Sequence, residues 1–150
     1  MTDQHVTPIG IAVVEHRGRY LVGTRPSDTV LPGRTEFPGG KCRPNEPPDA
    51  CAVRECHEET GLRVIAVREL LRCQFDYPHG RVDLHFWLCR LAVPPAAEQA
   101  QPPATPHGYR WLTPDELARE PLPEANAPVI LLLRKRKMRP RLQSRAKRKR

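Results

Sequence analysis

Glu55, Glu58 and Glu59 are spaced i, i+3, i+4, so on a helix of about 3.6 residues per turn they share one arc of surface. Like charges at that spacing oppose each other by a few tenths of a kcal/mol per pair, so helix propensity gives no reason to collect them. A hard divalent cation does. Carboxylate oxygens suit Mg²⁺ or Mn²⁺, which bind through a few carboxylates, retained waters and the phosphate oxygens of a substrate. The chemistry within reach is therefore metal-assisted attack on a phosphate group. Just upstream, Glu36-Phe37-Pro38-Gly39-Gly40-Lys41 reads as a loop whose glycines let backbone approach a ligand closely. An acidic helix face alone is commonly just solvated, and a Gly-Gly pair alone is commonly just a turn. Their joint register is what points to a site.

The glutamates need a helix, and the local residues punctuate one. Pro47 and Pro48 fit a first turn, where a missing N–H costs nothing, and Gly61 fits the left-handed position after a helix end, which predicts a helix over 48–60. Upstream, the apolar runs 9–14 and 20–22 flank His16-Arg17-Gly18-Arg19 in the pattern of a β-hairpin. Residues 27–34, with Pro32 and Gly33, read as a loop. Downstream, 62–67 and 70–77 read as strand material ending at the turn Pro78-His79-Gly80, and 82–91 reads as a further strand. The Pro-, Ala- and Gln-rich stretch 94–106 reads as an irregular surface connection. A short strand at 109–112 leads to Thr113, which with Glu116 makes a capping box for a helix from Pro114. A last helix spans 125 to about 136, with Val129, Ile130, Leu132 and Leu133 to bury. Strands on both sides of one helix, with another helix at the end, predict a mixed sheet between helices.

At 150 residues the chain suits one domain with a real core. No apolar run approaches the roughly 18 residues of a membrane span, and the first eight residues lack the charged and apolar regions of a signal peptide. The expectation is a cytoplasmic, monomeric protein. Its 5 cysteines are odd in number and form no C-x-x-C pair, against both a disulfide framework and a zinc site.

Glu55, Glu58 and Glu59 belong to a longer register: Gly40, Glu46 six residues on, then Arg54, Glu55, Glu58, Glu59 and Gly61. Seven such matches at set spacing arise by chance in well below about one in 10⁵ sequences of this length. The register resembles the Nudix box, the signature of hydrolases that cut a diphosphate joined to an organic group. The resemblance extends to Phe86-Trp87-Leu88, Trp111-Leu112 and Leu122-Pro123-Glu124-Ala125-Asn126, in the order found in MutT-type members. It implies an α/β/α sandwich with a mixed β-sheet. It also implies hydrolysis of a nucleoside triphosphate, such as the oxidised 8-oxo-dGTP, to monophosphate and pyrophosphate. By position, Glu55, Glu58 and Glu59 would be metal ligands with the carbonyl of Gly39, for Mg²⁺ or Mn²⁺. Arg54 would orient the neighbouring carboxylate and Glu46 would fix loop to helix. Arg25 and Lys41 would meet phosphates. Asn126 would hydrogen-bond the base, an amide offering both donor and acceptor, or cap a helix. Phe37 and Tyr77 would lie near the base or pack in the core. Three positions depart from the pattern. Cys56 stands where an aliphatic residue is usual, a tolerable change for a small hydrophobe. Glu124 replaces the second proline of the usual Pro-Pro-Ala-Asn run. Arg110 stands where some members carry an extra glutamate, which leaves the general base to a helix glutamate.

Eleven of the 25 Lys and Arg lie in residues 134–150, which hold no acid, so the rest carries 14 basic against 17 acidic residues, a balance of −3. The division expected is a Nudix domain over 1–133 and a basic, disordered tail over 134–150. The tail suits either a solvated, solubilising role or non-specific contact with nucleic acid or the ribosome, because no aromatics are interleaved for base stacking. Two other functions stay open beside triphosphate hydrolysis. One is cleavage of another diphosphate, such as ADP-ribose, a dinucleotide or an RNA 5′ end. The other is a catalytically quiet nucleotide- or RNA-binding module.

Overall fold

The structure, a computed structural model, describes residues 5–25, 33–93, 104–105 and 108–138. In chain order these form strands β1 (Val6–His16), β2 (Arg19–Thr24), β3 (Thr35–Glu36) and β4 (Gly39–Lys41), then helix α1 (Pro48–Thr60). Strands β5 (Val64–Tyr77), β6 (Gly80–Leu91) and β7 (Tyr109–Leu112) follow, then the short helix α2 (Pro114–Ala118). A 3₁₀ turn (Glu124–Asn126) leads into α3 (Ala127–Met138). The sheet runs β3-β2-β1-β6-β5, with β4 added on β1 and β7 on β2. Among the described residues only β1 and β6 pair in parallel, beside antiparallel neighbours. This is the mixed sheet the sequence predicts.

Period-two alternation divides the core between the two faces. Val13, Tyr20, Val22, Leu84, Phe86 and Leu88 pack toward α2 and α3, where Leu117, Val129, Ile130 and Leu133 meet them. Ala12, Val14, Leu21, Cys89 and Leu91 pack toward α1, where Ala52 and Cys56 meet them. The result is an α/β/α sandwich. Cys56 is fully buried, filling the aliphatic position as a small hydrophobe.

The predicted punctuation of α1 is observed: Pro48 opens it and Gly61 closes it at φ 76°, its N–H donating to the His57 carbonyl at 2.8 Å. Arg17 and Gly18 both take positive φ in the β1–β2 turn, the backbone a tight hairpin demands. Thr113 and Glu116 close the expected capping box at 3.2 and 3.0 Å.

One boundary differs from the sequence reading. The stretch read as two strand pieces is one continuous β5, because Arg68 and Glu69 stay paired with Leu88 and Trp87 of β6 while register shifts at Ala66/Arg68 and Glu69/Leu71 bulge out Val67 and Leu70. The last helix, expected to about 136, runs to Met138 and so takes in the first residues of the basic segment. Arg134 and Lys137 pair with Asp115, at 3.4 and 2.9 Å, and Arg136 pairs with Glu15 at 3.1 Å. Residues 139–150 lie outside the described residues, as do 26–32 and most of 94–107. Among the described residues no helix is long and apolar enough to cross a membrane.

Candidate active site

The site forms where α1 lies against β4. Gly40 sits so close to α1 that a Cβ there would stand 2.5 Å from the Glu55 carboxyl carbon. Only a glycine lets that carboxylate reach the strand. One turn further along α1, Glu59 turns its Oε2 to two donors, the backbone N–H of Gly39 and the Tyr109 hydroxyl, each at 3.3 Å. Burial pushes the Glu59 carboxyl up to about 7, against the Gly39 bond, with the Glu55 and Glu36 carboxylates adding repulsion. Burial beside Glu59 and Glu36 likewise raises the Tyr109 phenol, which stays a donor at neutral pH.

Arg54 fixes this helix face. Its Nε and Nη2 grip the Glu46 carboxylate at 2.7 and 2.9 Å, a two-bond fork. Its Nη1 reaches Glu55 at 3.0 Å and Glu58 at 3.2 Å, and Nη2 also meets the Lys41 carbonyl at 3.2 Å. The Arg54 bond is the largest cause holding Glu46 at about 2, well below the ordinary 4.5, with help from the Arg43 N–H at 3.0 Å. Strand β4, the connection after it and α1 are thus tied through one guanidinium.

Of the sequence-predicted residues, Gly39, Arg54, Glu55 and Glu59 come together here. Glu58 lies on the same arc but is exposed, bonded to Arg54 and to Arg43 at 3.4 Å. Among the described residues no three His, Cys, Asp or Glu side chains are grouped as a finished metal site; the positive charge between Glu55 and Glu58 is Arg54 itself. The donor chemistry still fits a hard cation, since a half-buried Glu59 crowded by two further carboxylates is an all-oxygen set of the kind Mg²⁺ and Mn²⁺ accept. Arg25 stands at the end of β2, bonded to Glu36 at 2.9 Å. Lys41 is exposed at the end of β4.

Phe37, Tyr77 and Asn126 are on the other side of the sheet. Phe37 is 6% exposed and packs in the core toward α3, so it offers a ligand little surface. Tyr77 is partly buried against that core, meets the Phe75 ring at a tilt at 4.9 Å and stacks with His79 at 5.4 Å. Asn126 is buried at the last position of the 3₁₀ turn, directly before α3, its N–H donating to the Pro123 carbonyl at 2.9 Å.

Three residues of the site had no role in the sequence reading: Glu36, Arg43 and Tyr109. For Tyr109 the signal was available, because alternation along β7 puts it on the α1 face with Trp111 and sends Arg110 to the opposite face. Arg110 bonds Glu120 at 2.7 Å and Thr24 at 3.4 Å, away from the carboxylates of α1.

Residues 10–132 match the family described as NUDIX domain. The chain is 28% identical over 129 residues to an 8-oxo-dGTP diphosphatase of Escherichia coli, covering 85% of this chain and 95% of that protein. It is 30% identical over 120 residues to a CTP pyrophosphohydrolase of the same organism, covering 79% and 84%. Among solved structures, the MutT protein of Methanosarcina mazei superposes with a TM-score of 0.72 at 18% identity, covering 91% of this chain and 99% of that one, a likeness of fold. With the box register, the sandwich and the α1 carboxylates in agreement, the chain belongs to the Nudix hydrolase family, as a MutT-type member.

Proposed function

We propose that the protein hydrolyses a purine nucleoside triphosphate, with an oxidised guanine nucleotide of the 8-oxo-dGTP kind preferred, to the monophosphate and pyrophosphate. The observation that carries the diphosphate chemistry is the convergence of Glu55 and Glu59 on the Gly39-Gly40 backbone under the grip of Arg54. A divalent cation held by Glu55, Glu58, Glu59 and the Gly39 carbonyl supplies, when bound, charge neutralisation at phosphate oxygens and a more acidic water. Arg54 keeps the Glu55 and Glu58 carboxylates in one orientation, and Glu46 keeps Arg54 in place. Arg25 and Lys41 add positive charge for the phosphates, and Glu36 orients Arg25. One of the α1 glutamates takes the proton of the attacking water, with the β-phosphorus as the point of attack. Phosphoryl transfer asks mainly for positioning and charge stabilisation, so this set suffices without a covalent intermediate.

The base preference is supported by Asn126, a buried amide directly before α3, and by the 8-oxo-dGTP diphosphatase relative. The CTP pyrophosphohydrolase relative and Glu124 in place of a proline favour a second reading, a pyrimidine triphosphate substrate. The deciding experiment is Mg²⁺-dependent kcat/KM across 8-oxo-dGTP, dGTP, CTP, ADP-ribose, NADH and 5′-triphosphate RNA. A preference for 8-oxo-dGTP over dGTP of about 100-fold, some 2.7 kcal/mol, supports the first reading. A preference for CTP or another diphosphate replaces it, and no turnover with Mg²⁺ or Mn²⁺ removes the hydrolytic reading.

A further inference from the structure

We infer that Tyr109 is a positioning residue for hydrolysis, its hydroxyl holding Glu59 Oε2 together with the Gly39 N–H so that Oε1 is left for the reacting centre. The inference rests on the reading of Glu59 as part of the diphosphate-cleaving site.

Three observations support the assignment. Both hydrogen bonds to Glu59 end on the same oxygen, so the carboxylate plane is set by two donors from two different elements, β4 and β7. A carboxylate fixed by one donor keeps freedom to rotate, whereas two donors from independent strands remove most of it. Next, β2 makes room for the Tyr109 ring: a Cβ at Gly23, its paired residue, would lie 2.7 Å from Tyr109 Cε1. The ring therefore occupies the space a side chain at Gly23 would take, and its hydroxyl reaches Glu59 of α1 on the same face of the sheet. Finally, Tyr109 is tied in place from behind, since its carbonyl accepts from the Thr105 hydroxyl at 3.0 Å. The neighbouring Arg110 faces the other way, to Glu120. On β7 the reach to the α1 carboxylates thus comes from Tyr109.

A hydroxyl placed this way acts through Glu59 rather than on the substrate, and its loss predicts a particular signature. Tyr109→Phe keeps the ring against Gly23 and removes only the hydroxyl. It is expected to lower kcat about 10-fold with KM within 2-fold of the parent, because the lost contact orients the reacting group and does not bind substrate. Mn²⁺ binding without nucleotide, followed by electron paramagnetic resonance, should weaken about 10-fold, the lower end of the range for outer contacts to metal ligands. The melting temperature should stay within a few degrees. Parent-like kcat and Mn²⁺ affinity in Tyr109→Phe would overturn the inference, and so would a kcat loss matched by a large fall in melting temperature with Mn²⁺ affinity unchanged. Glu59→Gln run alongside separates the two levels. If it is inactive while Tyr109→Phe is parental, Tyr109 alone is misassigned; if Glu59→Gln turns over fully, the underlying site reading falls and the inference with it.

Discussion

The two faces of the sheet hold their key residues by different means. On the α1 face, Arg54, Glu46, Glu55, Glu58 and Glu59 are placed by charge-assisted hydrogen bonds and by glycine backbone approaching a helix. On the α3 face, Phe37, Tyr77 and Asn126 sit within or against an apolar core of Phe86, Leu84, Leu117 and Val129. A polar network fails steeply when one partner is lost, since the remaining charges are left misdirected. An apolar wall tolerates change in graded steps set by volume. We therefore expect the first face to set rate and the second to set choice of substrate.

The largest effect should come from removing a carboxylate of the first face. Glu55→Gln or Glu59→Gln is expected to lower kcat about 10²- to 10³-fold, the scale of losing one charge-stabilising group, with little change in the unfolding midpoint. Gly40→Ala should follow. Its methyl would meet Glu55, the far end of a flexible side chain, so the carboxylate shifts while the fold survives, and kcat falls about 10- to 100-fold. On the second face, Asn126→Ala should cut the ratio of kcat/KM for 8-oxo-dGTP over dGTP about 10-fold or more while ordinary dGTP turnover holds, measured side by side.

A smaller effect concerns acid stability. Glu46 has its carboxyl held at about 2 in the fold against an ordinary 4.5, so its ionised form favours folding. That contribution is complete above about 4.5 and is lost as pH falls toward 2. Melting temperature against pH should therefore drop less steeply over that window in Glu46→Gln than in the parent. The smallest effect should come from truncation after Met138, which removes basic residues beyond the last described turn and is expected to leave kcat/KM on small nucleotides within 2-fold.

How much of this was legible in the sequence follows the same division. The α1 face is nearly contiguous in the chain: the Gly40 to Gly61 register, the prolines before the helix and the glycine after it specify local structure and charge together. The α3 face is assembled from positions as distant as 37, 77 and 126, and sequence alone leaves each of these poised between core packing and ligand contact. The structure places Phe37 in the core. Tyr109 carries no charge or motif of its own, and only strand alternation, which turns it to the α1 face and Arg110 to the other, distinguishes it in the sequence. The continuous β5 was hidden because bulges erase the period-two signal where Arg68 and Glu69 occur. The last helix was legible to about 136, and its final turn, extending to Met138, is held by ion pairs to Asp115 and Glu15 that no local pattern announces.

The most direct test of the division is kcat/KM for 8-oxo-dGTP and for dGTP, measured with Mg²⁺ in the parent, Glu55→Gln and Asn126→Ala. The account predicts that Glu55→Gln lowers both values by a similar factor and keeps their ratio, whereas Asn126→Ala collapses the ratio and spares dGTP. A ratio that collapses in Glu55→Gln, or that survives in Asn126→Ala, would contradict it.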